Sequence, residues 1–215
     1  GRAAELLGRP LEELRLVTLH LGNGASATAV DRGRSVDTSM GFTPLEGLLM
    51  GTRSGDIDPG LLIHLLRGGM AVDELDRLLN RGAGLRGMSG ISNDMRDVRA
   101  AAASGEAKAR AALEVFAYRV RKTIGAYAAA MGGLDAVVFT GGIGENDAAA
   151  RADCLQGLGF LGLTLDPERN ARGETRIGAD GAAVEVLVVR TDEEGLIARQ
   201  AREAAAGARP GGDGE

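Results

Sequence analysis

The sequence predicts an α/β chain, a mixed β-sheet flanked by helices, on three observations. Near the start, three short segments of alternating character are joined by tight glycine-containing turns, which makes an antiparallel meander. Further on, helical patterns with apolar residues three and four apart alternate with apolar strands. The apolar run Val137-Val138-Phe139-Thr140 breaks directly into Gly141-Gly142-Ile143-Gly144-Glu145-Asn146, which reads as a buried strand, a tight turn and a helix start.

The chain opens with Ala3-Ala4-Glu5-Leu6-Leu7, a helix over residues 2–7 closed by Gly8 with Pro10 just beyond. Residues 12–14 form a short turn. Residues 16–21 are the first strand, Gly22-Asn23-Gly24 its turn, residues 26–30 the second strand, and residues 35–38 the third after the turn Asp31-Arg32-Gly33-Arg34. Residues 40–59 are irregular, punctuated by Gly41, Pro44, Gly47, Gly51, Gly55 and Pro59. A long irregular stretch inside a compact domain is functional or floppy, and Thr52-Arg53-Ser54-Gly55-Asp56-Ile57-Asp58-Pro59 reads as functional. Asp58 as N-cap and Pro59 at the first helical position open a helix over 60–66.

A helix over 73–79 follows, with Leu75, Leu78 and Leu79 on one face, then a loop over 82–90. Ser92-Asn93-Asp94 begins a helix to residue 103. The longest helical pattern, 106–131, sets Leu113, Phe116, Ala117, Val120, Ile124 and Tyr127 at spacings of three and four, and Gly132-Gly133 ends it. Behind the glycine turn comes a helix over 148–158. Residues 161–165 read as a short strand and residues 184–189 as another, apolar enough to be central. Thr191-Asp192-Glu193-Glu194 opens a last helix to 206. We expect one domain over 1–206 and a flexible Gly/Pro tail over 207–215.

Composition narrows the function. The chain of 215 residues has a net charge of −5 and no basic stripe, which argues against a binder of phosphate backbones. Aromatics are 3% with no Trp, too few for base-stacking platforms. The single cysteine, Cys154, sits in a helical pattern as a small buried hydrophobe. No apolar run approaches a membrane span and no signal-peptide pattern opens the chain. The expectation is a cytoplasmic protein with neither nucleic-acid nor membrane partners. Gly1, standing inside a helical pattern, points to a piece of something longer.

Two independent glycine turns, Gly141 to Gly144 and His20-Leu21-Gly22-Asn23-Gly24, suggest a nucleotide platform. Glycine allows positive φ and leaves no Cβ between backbone and ligand, and the N–H groups and dipole of a helix start favour an anion. An ordinary β–α turn is the plainer alternative for either one alone. A dinucleotide-binding oxidoreductase domain is a rival, from Gly142 and Gly144 after a strand; Asp147 stands where its third glycine is wanted, although Asp166 falls at a tolerable distance for a ribose acid. No G-K-[ST] element follows the glycines, so a P-loop is excluded.

A meander followed by helix–strand–helix–strand–helix resembles the order of the ribonuclease-H-like fold of the actin, hexokinase and sugar-kinase superfamily. Three blocks carry a closer resemblance: Leu19-His20-Leu21-Gly22-Asn23-Gly24-Ala25-Ser26; Met40-Gly41-Phe42-Thr43-Pro44-Leu45-Glu46-Gly47 through Gly51-Thr52-Arg53-Ser54-Gly55; and Phe139-Thr140-Gly141-Gly142-Ile143-Gly144-Glu145-Asn146. In this order and spacing, supported by Ser89-Gly90-Ile91-Ser92-Asn93-Asp94-Met95-Arg96-Asp97, the chain closely resembles the acetate kinase family, with its propionate and butyrate kinases, from about residue 3 to 206.

The resemblance implies a C-terminal, nucleotide-binding domain of a carboxylate kinase that transfers phosphate reversibly between ATP and acetate or a similar short-chain carboxylate, with Mg2+ (or Mn2+), as a homodimer. It implies that His20, Leu21, Gly22, Asn23 and Gly24 form a phosphate-binding hairpin, that Asp94, Met95 and Arg96 contact the adenosine, and that Gly142, Ile143, Gly144, Glu145 and Asn146 lie under the nucleotide. Arg53 matches the arginine that stabilises the transferring phosphoryl group, and Glu193 the carboxylate at the metal. The family's N-terminal domain, with its own catalytic residues, is expected to be missing, so this chain is expected to be inactive alone. Met95 stands where Phe is frequent, and Asp56 where a small residue is common.

Each of these residues has a plainer reading. His20 orders its turn, while the amides of Gly22 and Gly24 do more of the phosphate binding. His64 is a packed histidine in an apolar helix. Arg53 pairs with Asp56 or Asp58 at the surface. Asp192, Glu193 and Glu194 are dipole-favoured acids of a first helical turn, and Asp94 is the N-terminal acid of its helix. Arg96, Asp97 and Arg99 form a solvated face. A non-catalytic ADP-binding or oligomerisation module remains the second rival.

Overall fold

The structure, a computed structural model, describes residues 1–192 together with residues 195, 198, 201 and 202. Helix α1 (Arg2–Leu7) ends at Gly8, whose φ of 64° closes it. The meander follows as β1 (Arg15–Leu21), β2 (Ala25–Asp31) and β3 (Arg34–Thr38), with Leu21 opposite Ala25 across the turn. After the irregular stretch come α2 (Pro59–Arg67), α3 (Val72–Arg77) running into a π-helical turn (Leu78–Gly82), α4 (Gly84–Ser89), α5 (Met95–Ala103) and α6 (Ala107–Ala130). The chain continues through β4 (Ala136–Thr140), α7 (Gly141–Asn146), α8 (Ala148–Leu155), α9 (Pro167–Arg172) and β5 (Glu185–Val188).

Among the described residues the sheet has five strands in the order β3-β2-β1-β4-β5. β1 pairs antiparallel with β2 and parallel with β4, and β4 pairs parallel with β5. This is the mixed, helix-flanked sheet of the ribonuclease-H-like fold that the element order predicts. Alternation along β1 splits the core. Val17, Leu19 and Leu21 join Ala25, Ala27 and Ala29 of β2 and Val137 and Phe139 of β4 on the face covered by α6. Leu16 and Ala136 join Leu14 and α1's Ala4 on the other. Three alanines on β2 keep their face low where α6 crosses it, and Ala109, Ala112, Phe116, Val120 and Ile124 of α6 are buried in the same core. Cys154 is fully buried, as expected, and burial pushes its thiol pKa up.

Several expectations need correction. β5 is the last strand of the sheet and not a central one; its apolar character is explained by a cover. Residues 175–178 add antiparallel bonds to it, Ile177 N–H to Val186 O at 2.9 Å and Val188 N–H to Thr175 O at 2.9 Å. Residues 161–165 are not a strand. A 3-10 turn (Leu158–Leu161) and Gly162, at φ 86°, interrupt the extended run and leave two isolated bridges, Leu163–Val184 and Leu165–Gly178. The expected loop over 82–90 contains α4, whose glycines disguise it. Tertiary bonds hold it, Leu85 N–H to Met50 O at 2.8 Å and Arg86 N–H to Gly51 O at 3.0 Å. The sequence reading missed α9, although Asp166-Pro167 repeats the Asp58-Pro59 signal: each Asp side chain caps its helix. His64 is exposed, not packed, on a helix with no buried residue. Glu193 and the 207–215 tail lie outside the described residues, as does most of the helix expected up to 206.

Candidate functional site

Because β1 and β4 are parallel neighbours, their C-terminal ends emerge side by side, His20 opposite Thr140, and carry the two glycine turns into contact. The three glycines of the second turn do three different things. Gly141 has φ 79°, and a Cβ there would stand 2.8 Å from Leu21 O and 3.0 Å from Leu21 N. Only glycine combines that backbone with that approach. Gly144 is buried, and a Cβ on it would stand 3.6 Å from Phe139. Gly142 has nothing within 4 Å of where a Cβ would be. It faces open space.

That open space belongs to a cleft of about 800 Å³, a size that suits a nucleotide. Gly22 and Asn23 of the hairpin turn form one rim. The start of α5 forms a second wall through Asn93, Asp94, Met95 and Arg96. Gly142, Ile143, Asn146 and Asp147 form the third. Met95 and Ile143 give the cleft apolar surface between polar ends. Asn23 links the parts: its Oδ1 accepts from Asn93 Nδ2 at 2.9 Å, and its carbonyl accepts from Gly51 N–H at 2.9 Å.

Asp94 caps α5, accepting Arg96 N–H at 2.9 Å, and Arg96's guanidinium folds back on the same carboxylate at 2.6 Å. The Arg96 side chain and then its backbone N–H hold the Asp94 pKa down to about 2. Glu145 turns away from the cleft. Its Oε1 accepts from Thr191 N–H at 2.9 Å, Thr191 Oγ1 at 2.8 Å and Gly141 N–H at 3.0 Å. Burial alone would raise its pKa, but these bonds from Thr191 and Gly141 hold it below the usual range. The Gly141 N–H that the sequence offered to an anion is therefore capped from within the protein.

The irregular stretch is tied down on the other side of the hairpin turn. Met50 N–H bonds Arg53 O at 3.2 Å, Ala83 N–H bonds Thr52 O at 3.1 Å, and Ser54 N–H bonds Leu79 O at 3.1 Å. Arg53 is thereby brought to the hairpin turn, its Nη1 3.5 Å from where a Gly24 Cβ would stand. It pairs with neither Asp56 nor Asp58. Asp56 faces Arg119 at 3.4 Å, and Asp58 caps α2.

Of the residues singled out from sequence, Gly22, Asn23, Asp94, Met95, Arg96, Gly142, Ile143 and Asn146 line the cleft. His20, Leu21, Gly24, Gly144, Glu145 and Arg53 stand behind or beside it: His20 is exposed at the end of β1, and the Leu21 side chain is core. The sequence reading missed Asn93, Arg99, Ala100, Ala103 and Asp147 on the cleft wall. Arg99, assigned to a solvated face, instead bridges Asp147 at 3.2 Å and Asp153 at 3.3 Å, tying α5 to α8. The signal for the alanines was present, since residues 95, 99, 100 and 103 share one stripe of a helix. The rival acid, Asp166, is occupied as the α9 cap, accepting from Glu168 and Arg169 N–H groups. Among the described residues no group of three or more His, Cys, Asp or Glu side chains is placed to hold a metal.

The model of the acetokinase family matches residues 1–199. An acetate kinase of Leifsonia xyli is 62% identical over 210 residues, 96% of this chain and 53% of that protein. Among solved structures, an acetate kinase of Porphyromonas gingivalis superposes with a TM-score of 0.92 at 42% identity, covering 95% of this chain and 52% of that one. A propionate kinase of Francisella tularensis superposes with a TM-score of 0.87 at 43% identity, covering 93% and 51%. The chain spans about half the length of the curated relatives it matches.

Proposed function

As this chain belongs to the acetokinase family, we propose that it is the nucleotide-binding domain, residues 1–206, of a cytoplasmic kinase that phosphorylates a short-chain carboxylate with ATP, reversibly. The observation that carries the reading is the convergence at one cleft of the hairpin turn, the α5 start and the Gly142 wall, three segments far apart in sequence. The nucleotide's base and ribose lie against Met95, Ile143 and Asn146. Its phosphates run toward Gly22–Gly24, where Arg53 stands alongside. Phosphoryl transfer spreads negative charge over the equatorial oxygens, and a planar guanidinium beside the phosphate rim suits them.

Mg2+ would arrive with the nucleotide phosphates. Such an ion takes one or two carboxylates and several waters and does not need a protein cage. Glu193 is our choice for the carboxylate. The ion supplies charge neutralisation, and Arg53 and the Asn23 and Gly24 amides do the positioning; the Gly22 N–H, expected from the sequence to bind phosphate, is bonded to Gly24 O at 2.9 Å within the turn. The carboxylate substrate would be held by groups outside this chain, so the chain alone does not turn over.

A two-fold homodimer is part of the proposal. None of the residues of α2 is buried, although Leu61, Ile63 and Leu66 are exposed on it, and an apolar helix of this kind needs a cover. Thermal melting separates the reading from its rival, because a ligand that binds only the folded state raises the melting temperature. MgADP should raise it and NAD should not; the reverse would replace the kinase reading with the oxidoreductase one.

A further inference from the structure

Arg151, on α8, is 1% exposed, the largest of the fully buried side chains and the most polar. Its Nη1 donates to Gly144 O and Glu145 O, both at 3.0 Å. Its Nε donates to Asn170 Oδ1 at 2.7 Å and its Nη2 to Asn170 O at 2.8 Å. Asn170, itself buried in α9, returns a bond from Nδ2 to Ala148 O at 2.8 Å. Among the described residues Arg151 makes no ion pair. Burial pushes its pKa down while the nearby Asp147 opposes that, yet a guanidinium stays charged in proteins.

A buried cation without a carboxylate partner is a costly choice for stability alone, since an apolar side chain of the same volume is often as good or better. What this one holds is specific. Gly144 and Glu145 close α7, the short turn whose front carries Gly142 and Ile143 into the cleft. A segment with three glycines has much conformational freedom to lose and little side-chain packing to fix it. Glu145 ties its front through Gly141 N–H, and Arg151 ties its end from beneath.

We infer that Arg151, seated on Asn170, is a positioning residue for the nucleotide: it sets the pose of the 141–146 turn without touching the ligand. The inference rests on the nucleotide reading of the cleft. It predicts that Arg151→Met weakens MgADP binding by at least about tenfold, the loss expected when charged hydrogen bonds that shape a site are removed. Arg151→Lys should recover part of it, because an ammonium reaches the two carbonyls but cannot also span Asn170.

The test measures MgADP affinity by calorimetry on the wild-type chain and on both variants, with hydrogen exchange of residues 141–146 followed in the unliganded proteins. Faster exchange confined to that turn, weaker binding and partial recovery by lysine support the inference. Wild-type affinity and exchange in a folded Arg151→Met overturn it while leaving the nucleotide reading intact. If Arg151→Met does not fold, the same comparison is made on Asn170→Ser, which keeps the guanidinium and removes its Nε acceptor; unchanged binding there overturns the inference equally. Failure of the wild-type chain to bind MgADP overturns the nucleotide reading and this inference with it.

Discussion

Arg53 and Asp56 lie three residues apart on one loop and do not pair. Asp56 accepts Gly47 N–H at 2.7 Å and faces Arg119 at 3.4 Å. Among the described residues Arg53 Nη1 bonds only Pro44 O at 3.5 Å and Met50 Sδ at 3.7 Å, beside Gly24. The arrangement keeps the negative charge spent elsewhere and leaves the guanidinium with weak contacts, half-buried at the hairpin turn. A surface ion pair has the opposite appearance.

We predict that Arg53→Ala, in the full-length kinase, lowers kcat about 10³-fold while changing the nucleotide KM little, since the side chain acts on charge that develops in the transition state. Lysine should rescue only partly. Asp56→Asn should cost at most about 1 kcal/mol of stability, because its pair with Arg119 is half-exposed. Steady-state kinetics with melting temperatures check both; an unchanged kcat for Arg53→Ala removes that residue from the site.

Adjacent glycines should respond oppositely to the same substitution. Gly141→Ala forces a side chain into φ 79° and onto Leu21 and should cost about 1–3 kcal/mol. Gly142→Ala meets nothing and should leave the melting temperature close to wild type. Equal melting temperatures for the two variants would contradict the division of roles within the turn.

Asp94 should titrate near pH 2. Its folded-state pKa lies below the ordinary value because Arg96 bonds its charged form, so its contribution to stability is present above the usual carboxylate range and is lost as pH falls through about 2. Carboxyl-carbon NMR of Asp94 reads the midpoint, and Arg96→Gln should move it up. A midpoint at the ordinary value in the wild type would mean that the Asp94–Arg96 contact does not persist in solution.

Where the pattern was local the fold was legible in the sequence, except at α9, whose Asp166-Pro167 start repeats the Asp58-Pro59 signal and was passed over. The meander turns, the Asp58 cap and the 3.6-residue stripe of α6 are set by neighbouring residues, and they stand within a residue or two of where they were expected. The rest of what stayed hidden depends on contacts between distant segments. α4 is glycine-rich and is held by Met50 and Gly51 carbonyls. β5 reads as central because residues 175–178 cover its edge. At the site, the glycine turns and the α5 start were visible as motifs. The inward turn of Glu145 to Thr191, the Arg99 bridge and the burial of Arg151 were not, since each needs two elements to meet before it exists.

We predict sedimentation as a dimer at micromolar concentration, with the exposed apolar α2 face as the contact. Leu61→Asp with Leu66→Asp should yield a folded monomer; a wild-type monomer would contradict the proposed assembly.

The most direct test of the account is calorimetric titration of the 215-residue chain with MgADP, beside Gly142→Val. The wild-type chain should bind at one site, and the valine variant, equally folded, should not, because its side chain fills open space at the wall where the backbone meets the nucleotide. A well-folded wild-type chain that takes up no MgADP, or a valine variant that binds it as tightly as wild type, would contradict the assignment of this cleft.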